Sequence, residues 1–261
     1  MLSTPHQRQT QADRVPAVRH LQPGEPAYPL PDGRWQGWAG GLALFEPMAP
    51  APPIATIGNV ALLQRPRLSM VCSAHCPGSI ALETYRIARH ASPCGPLVIG
   101  GFHSPMERTV FDLLTTRHAP VALCPGRRIQ SRSVPRAWAP AIAEGRLLVL
   151  SPFAPERRRV DRDLAGVRNA FVAALAGTIF VPYARPGGAV VVLVMALLES
   201  GKTVLTVTDR DTEGLEVLGA KALRTEELIA MFRGGEEGGE EGGGAETQDP
   251  GLWGRDPLAQ Q

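Results

Sequence analysis

The chain has 261 residues, a formal net charge of +2 and 44% hydrophobic residues, which suits one α/β domain of ordinary size with tails. No apolar run approaches the roughly 20 residues of a membrane span, and MLSTPHQRQT at the start lacks the apolar centre of a signal peptide, so a cytoplasmic protein without a membrane partner is expected. Four cysteines in a chain of this length do not make a disulfide framework, and reduced thiols are the default.

Residues 1–53 hold ten prolines, ending in Pro47-Met48-Ala49-Pro50-Ala51-Pro52-Pro53, and read as a mostly extended or disordered segment in which only Trp35 and Trp38 are candidates to dock on a core. From residue 54 to 233, short apolar runs alternate with helical patterns. Strands are expected at Leu68–Ser73, Leu97–Gly100, Val121–Cys124, Leu147–Leu150, Thr178–Val181 and Val204–Val207. Helices are expected at Gly78–His90, Pro105–Arg117, Pro135–Glu144, Asp161–Ala176 and Ala189–Ser200, and Glu213–Arg233 carries one more βα pattern with Thr225 as a helix cap. Apolar strands with little alternation, separated by helices, predict a Rossmann-like, doubly wound, mainly parallel sheet covered on both faces. Residues 234–261 carry seven acidic residues against Arg255 alone in a Gly/Glu-rich run, which predicts a solvated tail that solubilises the protein or competes with nucleic acid for a basic face.

In such a sheet, ligands bind beyond the carboxyl ends of the strands, which selects the loops 73–78, 101–104, 125–132, 152–159 and 183–188. The strongest local pattern is Leu97 to Glu107, LVIGGFHSPME. A buried strand runs into Gly100-Gly101, where the chain turns and a ligand can approach closely. Ser104, Pro105 and Glu107 then supply an N-cap, a first-turn proline and a capping box. Strand, glycine turn and capped helix N-terminus together suit a phosphate, although the same residues also serve a purely structural joint. Gly187-Gly188 is a second turn of this kind.

Between Arg127 and Arg168 lie ten arginines and four acidic residues, and Arg127, Arg128 and Arg157–Arg159 fall in loops of the ligand-binding edge. A solvated basic face is the plain alternative. Aromatic residues are sparse there, which limits base stacking to Trp138 or Phe153. ALLESGKT at 196–203 matches a relaxed P-loop, but Gly201-Lys202 ends a helix and precedes a strand, so Gly201 reads as a C-terminal cap. Cys72, His75 and Cys76 are too crowded for a zinc site, and no metal or cofactor is expected. Cys72 reads as a core residue, and Cys76, at a helix start, as a thiol of lowered pKa. His103 beside Ser104 is poorly placed as a nucleophile–base pair, since adjacent residues rarely bring a base onto the neighbouring hydroxyl and no Asp follows to orient the histidine. Glu107, one helical turn on, is the candidate partner, and ligand contact or capping is the favoured reading.

The order of these parts resembles the DprA/Smf family of DNA-processing proteins, over roughly Leu68 to Thr208. The resemblance rests on Val71-Cys72-Ser73-Ala74, on Gly100–Glu107, on Arg168-Asn169, on Pro186-Gly187-Gly188 and on ALLESGKTVLTV. It implies a Rossmann domain that binds single-stranded DNA without catalysis, with a recombinase and a second copy of the chain as partners. The phosphate and nucleic-acid contacts it implies here are Ser73, Gly78, Gly100, Gly101, His103, Ser104, Glu107, Arg127, Arg128, Arg168, Asn169, Gly187 and Gly188. This sequence departs from the family pattern at Ala74 and Ala170, where arginines are usual, at His103-Ser104 in place of Arg-Gly, and at Glu107 in place of Asp. It is therefore similar to a divergent subgroup of the wider SLOG/LOG-like superfamily. That superfamily implies a second reading, a small-nucleotide sensor or a LOG-like hydrolase using Glu107 or His103. The Gly-Thr and glutamate that follow PGG in the hydrolases are replaced by Val190-Val191 and Val194.

Overall fold

A computed structural model describes residues 15–30, 34–35, 49–50, 53–153 and 162–234 of the chain, with backbone alone for 34–35, 49–50 and 162–164. Nine strands form one sheet: β1 Arg19–Leu21, β2 Ile54–Gly58, β3 Arg67–Met70, β4 Leu97–Gly100, β5 Val121–Leu123, β6 Leu147–Ser151, β7 Thr178–Phe180, β8 Thr203–Val207 and β9 Lys221–Leu223. Their spatial order is β1-β2-β6-β5-β4-β3-β7-β8-β9. Strands β3 to β9 are mutually parallel, whereas β1 and β2 run antiparallel at one edge. The fold is thus the Rossmann-like α/β architecture expected from the alternation of strands and helices. Arg34–Trp35 pairs with Ala49–Pro50 as a separate two-stranded ribbon. The side chain of Trp35, all of Trp38 and the acidic tail lie outside the described residues.

The helices are α1 Gly78–Ala88, α2 Pro105–Thr116, α3 Ala139–Ala143, α4 Arg162–Ala174, α5 Ala189–Glu199, α6 Glu213–Leu218 and α7 Thr225–Arg233. The strand pleat sends alternate residues to opposite faces. Val98 packs with Ile80 and Ile87 of α1, Val110 and Leu114 of α2, Ile142 of α3 and Phe232 of α7. Leu97 and Ile99 pack with Phe171, Val172 and Leu175 of α4. On that second face Ile179 and Val204 meet Val190, Val194 and Leu197 of α5. Two covered faces explain why these strands read as unbroken apolar runs.

Several expectations need correction. The segment before residue 54 contributes β1, and β2 begins directly after Pro52-Pro53; neither strand was expected. Prolines flank both and hid them, yet they stand outside Arg19–Leu21 and Ile54–Gly58, so neither strand loses a ladder amide. The helix expected at 135–144 is broken into a 3-10 turn, Arg136–Trp138, and the short α3, since Pro140 cannot donate into a continuous helix. Thr225 is the first residue of α7 rather than its cap. The cap is Arg224, and Thr225 Oγ1 donates instead to Glu83 on α1 at 2.7 Å. Gly201 takes φ +76 just past α5, its amide reaching Leu198 O and that of Lys202 reaching Leu197 O. GKT therefore closes a helix and opens β8, as its sequence context demands.

The chain runs outward from β3 through β4 and β5 to β6, then crosses back to β7 on the other flank of β3. That reversal leaves a crevice at the carboxyl ends of β3 and β7, where doubly wound sheets bind their ligands.

Candidate nucleic-acid interface

Three loops meet at the crevice. After β3 the chain passes Cys72 and Ser73, after β4 it passes Gly101–Ser104, and after β7 it passes Tyr183–Gly188. Ser73 donates its amide to Tyr183 O at 3.1 Å, and its hydroxyl accepts from the Arg185 amide at 2.9 Å. These two bonds tie the first loop to the third.

Glu107 ties the first loop to the second. It is only 4% exposed, and its Oε1 accepts from the Cys72 amide at 3.0 Å. Its Oε2 accepts from the amides of His103 and Ser104, both at 2.9 Å. Ser104 Oγ in turn accepts from the Glu107 amide at 3.2 Å, completing the capping box of α2. Both carboxylate oxygens are thus committed to backbone amides. That arrangement suits a brace between the two loops.

The glycines of LVIGG serve close approach. The left-handed residue of the turn is Phe102, at φ +46, which is strained for a side chain of that size. Its ring holds the conformation by lying over Gly100, where a Cβ would stand 3.0 Å from the ring, and by packing on Phe111 with centroids 5.2 Å apart. Gly101 makes room for Arg168: a Cβ there would fall 2.4 Å from the guanidinium carbon. Nothing in the sequence signals the unusual backbone of Phe102.

Arg168, on α4, is 5% exposed. Its Nε and Nη2 both donate to Asn169 Oδ1, at 3.0 and 2.7 Å, while Nη1 is enclosed and has no hydrogen-bond partner among the described residues. A buried guanidinium with an unused donor is costly unless something anionic offsets it. Burial first, and then the charges of Arg168 and Arg108, hold the exposed His103 below the ordinary histidine pKa, so its imidazole is neutral at physiological pH. Burial pushes the nearby Cys124 thiol up to about 12, so this thiol stays protonated.

Ser73, Gly100, Gly101, His103, Ser104, Glu107, Arg168 and Asn169 therefore form one connected cluster. Gly187, at φ +69, and Gly188, the N-cap of α5, stand in the neighbouring loop, and Gly78 opens α1 with an exposed backbone. Arg127, exposed, and Arg128, half-buried, follow β5 further along the same edge. Arg157–Arg159 lie outside the described residues. Trp138 is half-buried and packs edge-on against Phe111, ring centroids 5.2 Å apart. No group of three or more His, Cys, Asp or Glu among the described residues could hold a metal ion, and no described helix is long and apolar enough to cross a membrane.

Beside the crevice the neighbouring Cys72 thiol holds the Cys76 thiol below the ordinary cysteine pKa, while Cys76 together with burial pushes the Cys72 thiol up. Cys76 carries more thiolate at neutral pH and is half-buried, so iodoacetamide at pH 7 should alkylate Cys76 well before Cys72. Peptide mass spectrometry over a time course checks this; equal rates at the two sites would contradict the opposite shifts of the two thiols.

No protein-family model matches the sequence, and no curated protein matches it. Among solved structures, DNA processing protein A (DprA) from Streptococcus pneumoniae aligns at 15% identity with a TM-score of 0.59, over 88% of this chain and 79% of that one. DprA from Helicobacter pylori, a protein with a described single-stranded DNA binding mode, aligns at 15% identity with a TM-score of 0.61, over 82% and 95%. At this identity the likeness is one of fold. The chain has a DprA-like Rossmann fold.

Proposed function

We propose that this protein binds single-stranded DNA along the carboxyl edge of its parallel sheet, in a DNA-processing role such as uptake or recombination. A recombinase and a second copy of the chain are the partners such a role calls for. The observation that carries this reading is Arg168, a buried cation with an unused Nη1 pressed against the side-chain-free backbone of Gly101. Its charge acts through a low-dielectric layer on whatever lies over Gly101–Ser104, and the N-terminus of α2 adds its partial positive charge there. A phosphodiester backbone supplies the matching charge, and the fold shared with DprA supports a strand of DNA as its source. Glu107 spends both oxygens on amides, which weighs against the hydrolase alternative that would use it as a base.

Fluorescence anisotropy with a labelled oligo-dT tests this reading. Sub-micromolar binding is expected at roughly 50 mM salt, weakening steeply toward 200 mM as counterions return to the strand. Absence of binding at low salt, together with a thermal shift on adding a mononucleotide, would replace the strand with a small ligand.

A further inference from the structure

We infer that a second groove, beyond β6, takes one nucleotide of the same strand, its base against Phe153 and its phosphate at Arg128. This rests on the single-stranded DNA reading above and extends it to a second contact.

The groove between β1, β2 and the loops after β5 and β6 has a volume of about 500 Å³, the size of a small-ligand site. Its floor is Val18 and His20, which point to one face of β1 and its approach, together with Ala55 of β2. Its walls are Arg128, Pro152 and Phe153.

Phe153 is half-buried yet, among the described residues, belongs to none of the three core clusters. The surrounding loops hold it in place. Ser151 Oγ donates to Arg127 O at 2.9 Å and accepts from the Phe153 amide at 3.2 Å, fixing ring and arginine loop to one strand end. Ser131 Oγ donates to Pro16 O at 2.7 Å and ties the same loop to the segment before β1.

Charge selects the occupant. Among the described residues no carboxylate lines the groove, and neither Arg128 nor His20 makes a side-chain hydrogen bond or ion pair. An apolar ring beside an uncommitted guanidinium fits a flat base joined to a phosphate. Position selects the polymer. Gly101 follows β4 and Phe153 follows β6, and only β5 lies between those strands. The two strand ends thus stand about 10 Å apart along one edge and the groove opens just beyond the second, within reach of a few nucleotides.

The test compares wild type with Phe153→Ala, Phe153→Trp and Arg128→Ala on oligo-dT strands of about 4 and about 12 nucleotides. On the longer strand Phe153→Ala is expected to lose about ten-fold in affinity and Phe153→Trp to keep it, its added indole fluorescence being quenched on binding. Arg128→Ala should flatten the salt dependence by nearly one phosphate contact. The short strand, filling one site, should lose less than the long one. If wild type binds the long strand and both alanine variants bind it equally well, the groove is excluded while the Gly101–Arg168 site stands. If wild type binds neither strand, both readings fall. If thymidine monophosphate quenches the Phe153→Trp signal as strongly as the long strand at equal concentration, the occupant is a free nucleotide and the strand assignment is overturned.

Discussion

Glu107→Ala is expected to destabilise the protein by about 3 kcal/mol or more, the largest single loss available at the crevice. The substitution strands the buried amides of Cys72 and Ser104 and unpairs the partly buried amide of His103, and each unpaired buried donor costs about 1–3 kcal/mol. For a domain of this size that corresponds to a fall in melting temperature of about 6–12 °C. Ser104→Ala removes only the acceptor of the helix cap and should cost about 1 kcal/mol. Differential scanning calorimetry of the two variants beside wild type separates brace from cap. Equal, small shifts for both would show that the carboxylate does not hold the two loops together.

Arg168→Met is expected to reverse that pattern, weakening single-stranded DNA binding while leaving the fold intact or firmer. Losing a charged contact in an enclosed site costs about 1.5–3 kcal/mol, or roughly ten- to a hundred-fold in affinity. Methionine fills much of the same space and removes a buried charge whose Nη1 has no partner, a replacement that is often neutral or stabilising. The remaining partner, Asn169, is half-buried and can turn its amide to solvent. Gly101→Ala should reproduce the binding defect by another route, since the new methyl would collide with the guanidinium. Anisotropy titrations and melting curves on the same preparations check both halves. Wild-type affinity in Arg168→Met would end the assignment of this arginine to the DNA contact.

What the sequence disclosed depended on how local the cause was. Strand β4 and the start of α2 were placed at Leu97–Gly100 and Pro105 because Gly-Gly, Ser-Pro and a glutamate three residues on are short-range signals. The capping box was legible for the same reason. The third bond of Glu107, to an amide 35 positions earlier, was not, because it exists only once β3 and β4 are adjacent. Strands β1 and β2 were hidden by flanking prolines, and what holds them is long-range: β1 pairs with β2, and β2 pairs with β6 far along the chain. The arginine cluster was visible as composition, but which arginine is buried and which faces a groove follows from tertiary packing: Arg168 lies under Gly101, and Arg128 lines the groove near Phe153.

The two outer strands of the sheet are each three residues long, Arg19–Leu21 at one side and Lys221–Leu223 at the other. Arg19, His20 and Lys221 are exposed on them. A strand that short offers few unpaired amides, and charge along it repels a second sheet seeking to pair. The molecule thus guards itself against the runaway stacking to which apolar, nine-stranded sheets are prone. Any assembly it forms is steered away from joining sheet to sheet and toward contacts between its helices.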